Sequence, residues 1–328
     1  MPREASAVAS APGKVILFGE HAVVHGKVAV AAAVSDLRIV VQATATTEDL
    51  LRLELPDLSV CFRCLATSAA SHFAAVLATV PSAAAPGRSE PQPPSARHLE
   101  LLDRFLVDQS KQDKKALLPL VFLCTSVLPS IFVAQTGPVA RGLHIKAYSA
   151  SLPVGAGLGS SAAFCVATAA ALLRLGQLLE GAAAPDNSGV DGGGSSGSNG
   201  DRAVRCQGGN GSTAPQLAEL RVINDWAFAA ETIVHGNPSG LDNTVSCFGG
   251  AIEYVRTPKT IEHISPFPAL DILLTDTRVP RETSQLVGGV GALLERLPTP
   301  TVAMFDAIEA VGRLFLSRVR SASAGGRA

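Results

Sequence analysis

The sequence predicts a chain that mixes strands with helices, and three observations carry that reading. Residues 51–55 and 143–148 alternate apolar and polar side chains, the period of a half-buried strand. Segments rich in alanine and leucine, such as residues 162–173, have the composition of helices. Between strand and helix lies Pro153-Val154-Gly155-Ala156-Gly157-Leu158-Gly159-Ser160-Ser161, whose three glycines in five residues let backbone N–H groups turn inward without a Cβ in the way. A glycine loop that feeds a helix N-terminus is a ready site for phosphate. The loop lacks the GxxxxGK[ST] pattern, and its G-x-G-x-G spacing does not fit the dinucleotide fingerprint.

Taken in order, strands are expected at residues 15–18, 38–44 and 51–55. Residues 84–97, rich in Pro and Ser, read as a surface loop, and residues 101–107 and 116–134 as helices. Residues 116–136 carry no charge and would be long enough to span a membrane. Pro119, Pro129 and the polar Thr125, Ser126 and Ser130 favour instead a buried helix broken near Pro129. After the strand at 143–148 and the glycine loop, residues 181–212 are low-complexity Gly/Ser sequence, expected to be a disordered insertion. A helix follows over 214–234, stopped by His235-Gly236-Asn237-Pro238. Strands are expected at 250–255 and 272–275, and helices at 284–297 and 302–319.

Composition narrows the function. A chain of 328 residues with 47% hydrophobic side chains can bury one large core or two ordinary ones. Its 27 basic and 28 acidic residues nearly cancel, which leaves no electrostatic footprint for nucleic acid or an anionic membrane. No apolar leader core is expected before Ala11-Pro12-Gly13. Six scattered cysteines fit reduced thiols. Cys61 and Cys64 form a CxxC on a predicted strand, where i and i+3 point to opposite faces and cannot readily share a metal.

Several residues could do chemistry. Lys14 opens an apolar strand, although an ammonium is costly to desolvate without a partner. Glu20 and His21 follow Gly19 at that strand's far end, and His25 stands four residues beyond His21 without a third metal ligand nearby. Helical arithmetic puts Glu231 on the largely apolar side of its helix, where a carboxylate needs a partner such as a divalent cation. Asp242 falls in a Ser-Gly-rich turn, the usual place for a capping aspartate.

Together these segments resemble the mevalonate kinases of the superfamily that also holds galactokinase, homoserine kinase and phosphomevalonate kinase (GHMP kinases). Ala11 to Gly26 is similar to the family's first motif, Pro153 to Ala163 to its phosphate loop, and His235-Gly236-Asn237-Pro238-Ser239-Gly240-Leu241-Asp242-Asn243 to the form seen in mevalonate kinases. The resemblance implies an α+β fold: a ribosomal protein S5 domain 2-like unit over residues 1–257, then a truncated ferredoxin-like unit over 258–328. It implies transfer of phosphate from ATP to the terminal hydroxyl of mevalonate, with Asp242 as base and Lys14 steadying the transferred charge. Ser161 and Glu231 would hold Mg2+, and Gly155, Ala156, Gly157, Leu158, Gly159 and Ser160 would cradle the phosphates. Asp57 and Ala150 stand at nucleotide-contacting positions, each replaced relative to the family (asparagine and serine there). Glu20, His21, Arg281 and Thr283 match the mevalonate side of the cleft. The family's third, glycine-rich motif is absent, since the glycine pairs beyond Asp242 are Gly249-Gly250, Gly288-Gly289 and Gly325-Gly326. The expectation is therefore a shortened ATP wall and uncovered apolar faces, with a catalytically impaired binding or dimerisation form as the alternative function. A cytosolic homodimer is implied; Lys14-Val15 followed by His21-Ala22 also fits a peroxisomal address pattern.

Overall fold

The computed structural model describes residues 5–77, 91–132, 142–153, 155–183, 204–205, 214–265, 267–275 and 283–325. Among them runs an eight-stranded mixed sheet. Two long strands, β1 (Ala5–Phe18) and β2 (Ala29–Thr46), pair antiparallel and form its spine. β3 (Leu51–Leu55) and β4 (Val60–Cys64) make a hairpin, and β5 (Gly142–Ser149) slots between β3, to which it is parallel, and β2. β6 (Val204–Arg205) adds a short parallel edge to β1. β7 (Ala251–Val255) pairs with the first residues of β2, and β8 (Thr260–Ile264) pairs with β7.

Among the described residues, eight α-helices accompany the sheet: α1 (Ala66–Leu77), α2 (Ala96–Phe105), α3 (Lys111–Val127), α4 (Ser160–Ala183), α5 (Ala214–His235), α6 (Leu241–Phe248), α7 (Thr283–Arg296) and α8 (Pro298–Gly325). The fold is thus mixed α+β. Alternation on the strands decides which side chains turn inward. Leu51, Leu53 and Leu55 of β3 and Leu143, Ile145 and Ala147 of β5 are buried in one core with α3, α4 and α5, while Arg52, Glu54, His144 and Lys146 face outward. Each fully buried leucine stabilises by about 1.5–3 kcal/mol. Ala7, Ala9 and Ala11 of β1 share that core with Ala163, Ala167 and Ala171 of α4, small side chains that let helix and sheet approach closely.

The spine changes register where it matters most. Pro12 faces Arg38, yet the next residue, Gly13, faces Val34, so β2 bulges by three residues beside Lys14. Arg38 steadies the bulge, donating to the Ser10 carbonyl at 2.8 Å and to Ser10 Oγ at 3.1 Å. Beyond it, Val30 and Ala32 pack with Leu316 and Val319 of α8, whereas Ala29 and Ala31 pack with Leu241 and Val245 of α6. The first half of β2 is covered on both faces.

Several expectations are corrected. Strand β1 starts at Ala5, ten residues before the predicted start, because β2 supplies a partner for a run of alanine and serine with little strand propensity of its own. Residues 272–275 are not a strand; no partner lies alongside among the described residues, and Leu273 is 92% exposed. Within the expected disordered insertion, α4 continues to Ala183 and Val204–Arg205 pair with β1, while the remainder lies outside the described residues. The Pro/Ser-rich loop ends earlier than expected, since Ser95 Oγ accepts the His98 N–H at 3.1 Å and caps α2; residues 84–90 lie outside the described residues. Helix α3 does end before Pro129, passing first through Pro119, and its residues Leu117 and Pro119 to Val127 are buried. Helices α1 and α6 and strand β8 carried no sequence expectation.

Candidate active site

Lys14 lies within β1 and is only 7% exposed. Two glycines bring it against the phosphate-loop segment. The Lys14 N–H donates to the Leu158 carbonyl at 2.8 Å, and a Cβ on Gly13 would stand 2.8 Å from the same oxygen. On the other side, a Cβ on Gly159 would come within 2.7 Å of Lys14 Cγ. The Lys14 stem therefore threads between strand and loop, and its Nζ emerges 3.3 Å from Asp242 Oδ1. That contact supplies the partner a buried ammonium requires.

Asp242 is not in a turn, as the sequence suggests, but in the first turn of α6, just past Gly240 at φ 83°. Ser239 Oγ accepts the Leu241 N–H at 3.1 Å, and Thr244 Oγ1 donates to the Gly240 carbonyl at 2.6 Å, which fixes the start of the helix. The Asn-Pro-Ser-Gly run thus builds the short connection from α5 to α6.

Glu231 of α5 is 2% exposed. Burial raises its carboxyl to about 8, the Asp242 charge pushes in the same direction, and Lys14 partly offsets both. One turn further along α5, His235 Nε2 lies 3.1 Å from Ser161 Oγ in the first turn of α4. Burial lowers the His235 pKa, opposed by the negative charge of Asp242. Lys14, Asp242, Glu231, Ser161 and His235 are therefore linked through direct contacts and shared fields. His235 was missed as a site residue, although its i+4 spacing from Glu231 places it on the same helix face.

The loop itself is held open. Gly155, Gly157 and Gly159 all adopt positive φ (80°, 78° and 69°), and the Gly155 N–H donates to Ser160 Oγ at 3.4 Å. A Cβ on Gly155 or Gly157 would meet nothing within 4 Å, so open space lies over the loop in front of α4. Ala156 and Leu158 alternate with these glycines. Beside the loop is a cleft of about 200 Å³ whose lining includes Asp57, Leu58, Lys115, Tyr148, Ser160 and Ser161. Asp57 directs Oδ2 to the Ser149 N–H at 2.6 Å, and the Ala150 N–H donates to the Arg38 carbonyl at 3.0 Å.

The other predicted residues are less closely joined. Glu20 and His21 sit in the turn between β1 and β2, Glu20 exposed and His21 at φ 64°. Neither side chain is among the described contacts that link Lys14, Asp242, Glu231 and Ser161. Arg281 lies outside the described residues, and Thr283 is the first residue of α7, its side chain likewise outside them.

Comparison with known proteins identifies the family. Residues 126–209 match the family model of the GHMP kinases N terminal domain. The chain is 30% identical over 307 residues to the mevalonate kinase of Candida albicans, covering 92% of this chain and 64% of that protein. To the mevalonate kinase of Arabidopsis thaliana it is 33% identical over 319 residues, covering 95% of this chain and 73% of that one. Among solved structures, the L. major mevalonate kinase in complex with R-mevalonate shares the fold, with a TM-score of 0.54 at 18% identity over 98% of this chain and 72% of that chain. The chain thus spans about two thirds of the length of the curated relatives it matches. With 33% identity to a mevalonate kinase of which it covers 73%, the chain belongs to the mevalonate kinase family of GHMP kinases.

Proposed function

We propose that this chain transfers the γ-phosphoryl group of ATP to the terminal hydroxyl of mevalonate, giving 5-phosphomevalonate. The Lys14–Asp242 contact at 3.3 Å, facing a glycine loop with open space above it, carries the reading. Asp242 accepts the hydroxyl proton as the oxygen attacks, an assistance typically worth about 10²–10⁴ in rate. Lys14, fixed between β1 and the loop, holds positive charge where negative charge develops, so little reorganisation is needed at the moment of transfer. The backbone of Gly155 to Ser160 and the N-terminus of α4 bind the phosphates.

Glu231 and Ser161 fit a magnesium ion. They offer hard oxygen donors, and Glu231 is a buried carboxylate pushed toward its neutral form when no cation compensates it. Bound there, the ion would neutralise charge on the β- and γ-phosphates. Asp57, in the neighbouring cleft, would accept a hydrogen bond from the nucleoside, and Ala150 would offer backbone alone. Glu20, His21, Arg281 and Thr283 would line the mevalonate side. In fold terms, residues 1–257 form the S5-like unit and 258–328 part of a ferredoxin-like unit. The expected setting is a cytosolic homodimer, and the burial of Lys14 argues against the peroxisomal address.

A second reading, a partner-binding form with impaired catalysis, draws on the exposed apolar side chains Met304, Val311 and Leu314 of α8. An assay of ADP release with mevalonate and Mg-ATP decides between them. Turnover abolished by Asp242→Ala supports the kinase; no turnover from folded parent chain, with Asp242→Ala indistinguishable from it, overturns it.

A further inference from the structure

The turn that carries Glu20 and His21 has backbone hydrogen bonds of its own, such as Val23 N–H to the Gly19 carbonyl at 3.0 Å, and is braced from outside as well. Its backbone is a short 3-10 turn (Ala22–His25) flanked by Gly19 and Gly26, both at positive φ. Helix α8, nearly three hundred residues away in sequence, grips it at both ends. On the entry side, Phe315 packs on Phe18 with ring centroids 4.8 Å apart, and Gly312 lies beside Phe18, where a Cβ would make ordinary contact at 3.4 Å. On the exit side, Phe305 stacks on His25 at 4.7 Å and 15°, and Lys27 Nζ reaches Asp306 Oδ1 at 2.5 Å and Glu309 Oε2 at 3.4 Å. Glu309 is itself held by Arg313 at 2.7 Å.

These contacts use one face of one helix. Phe305, Glu309, Gly312 and Phe315 follow spacings of four, three and three, and Asp306 stands three residues before Glu309, so α8 presents a broad continuous face to the turn. The buried His25 Nε2 has no hydrogen-bond partner in the described structure, so His25 is held there by the ring stack and not by polar bonds of its own. We infer that α8 is a clamp on the Gly19–Lys27 turn, with Lys27, Asp306 and Glu309 as positioning residues that set affinity for the acceptor alcohol. The inference rests on the proposed placement of Glu20 and His21 on the mevalonate side. It separates two parts of the site: the glycine loop is held by β1, whereas the acceptor turn depends on a helix from the far end of the chain.

The test compares the full chain with Lys27→Met and Lys27→Arg, none of which touches the proposed catalytic residues. Lys27→Met is expected to speed amide hydrogen exchange at residues 20–26 while leaving α4 and the glycine loop unchanged. It is also expected to raise KM for mevalonate about three- to fivefold, the scale at which exposed ion pairs act, with kcat and KM for ATP held. Lys27→Arg, which keeps the charge, is expected to restore both readouts. Unchanged exchange at residues 20–26, exchange that rises equally throughout the chain, or an equal rise in both KM values would each overturn the clamp. If the parent chain does not use mevalonate at all, the proposed function fails, while the exchange comparison still decides whether α8 holds the turn.

Discussion

Two glycine-led turns flank Lys14, and they use glycine for opposite reasons. In the phosphate-loop segment, Gly155 and Gly157 adopt positive φ with nothing within 4 Å of where a Cβ would stand. In the acceptor turn, Gly19 also has positive φ, yet a Cβ there would lie 2.2 Å from the Val28 carbonyl and 2.7 Å from Ala29 Cα. The first turn leaves open the space that the proposed function gives to the nucleotide phosphates; the second is packed against its own strand and braced from outside by α8. The contrast belongs to these positions and not to open glycines in general, since Gly26 at the end of the second turn is uncrowded too. Gly159 is intermediate, since what it would strike is the flexible stem of Lys14.

The largest expected effect falls between the two turns. Asp242→Asn is expected to lower kcat by about 10²–10⁴ without loss of folded structure, read by ADP release alongside circular dichroism. A loss below about tenfold would mean that the Lys14–Asp242 contact is structural and that the open loop only binds. Next comes Gly19→Ala, which must adopt a left-handed conformation, at about 1–3 kcal/mol, and also displace backbone atoms of β2. Thermal unfolding should show a clear fall in Tm, together with loss of the α8 contacts. An unchanged Tm would remove the distinction between crowded and open glycines.

How much of this was legible in the sequence follows from how local each feature is. The loop, the helix it feeds and the placement of Glu231 on an apolar face depend on residues within a few turns of one another, and periodicity exposes them. The buried lysine also announced itself, because an ammonium in an apolar strand demands a partner. That partner could not be read from pattern. Asp242 looked like a turn residue because Gly240 precedes it, and only packing against β2 turns Leu241 to Phe248 into a helix. The same holds for β8, whose polar sequence has no strand alternation but pairs along its whole length with β7. The pairing of Ser161 with His235 and the grip of α8 on His25 join segments far apart in the chain, and no local rule reaches them.

A pH experiment sharpens the contrast on the side of the open loop. The Glu231 carboxyl is raised from its ordinary 4.5 to about 8 by burial and by Asp242. In the absence of a cation, the folded chain then holds a proton that the unfolded chain has released, so stability falls as pH rises from about 5 to about 8, by up to ~1.4 kcal/mol per unit. Denaturant melts at intervals across that range should show the decline, and Glu231→Gln should flatten it. Added Mg-ATP should flatten it too, by favouring the charged carboxylate. A slope that persists in Glu231→Gln would assign the effect to another group. The same variant should impair use of Mg-ATP far more than binding of mevalonate; equal losses would count against a cation site at Glu231.

The smallest stability change belongs to the loop itself. Gly157→Ala is expected to cost about 1–2 kcal/mol, the penalty for a left-handed non-glycine residue, with no clash to add to it. Its fold should survive where that of Gly19→Ala suffers. Its kinetics should not be spared, because the added methyl enters the space over the backbone N–H groups in front of α4. KM for ATP is expected to rise, with KM for mevalonate held, in an initial-rate assay that varies one substrate at a time. If KM for ATP stays at the parent value, the open space over Gly157 is not where the phosphates lie, and the role assigned to Gly155 and Gly157 falls with it.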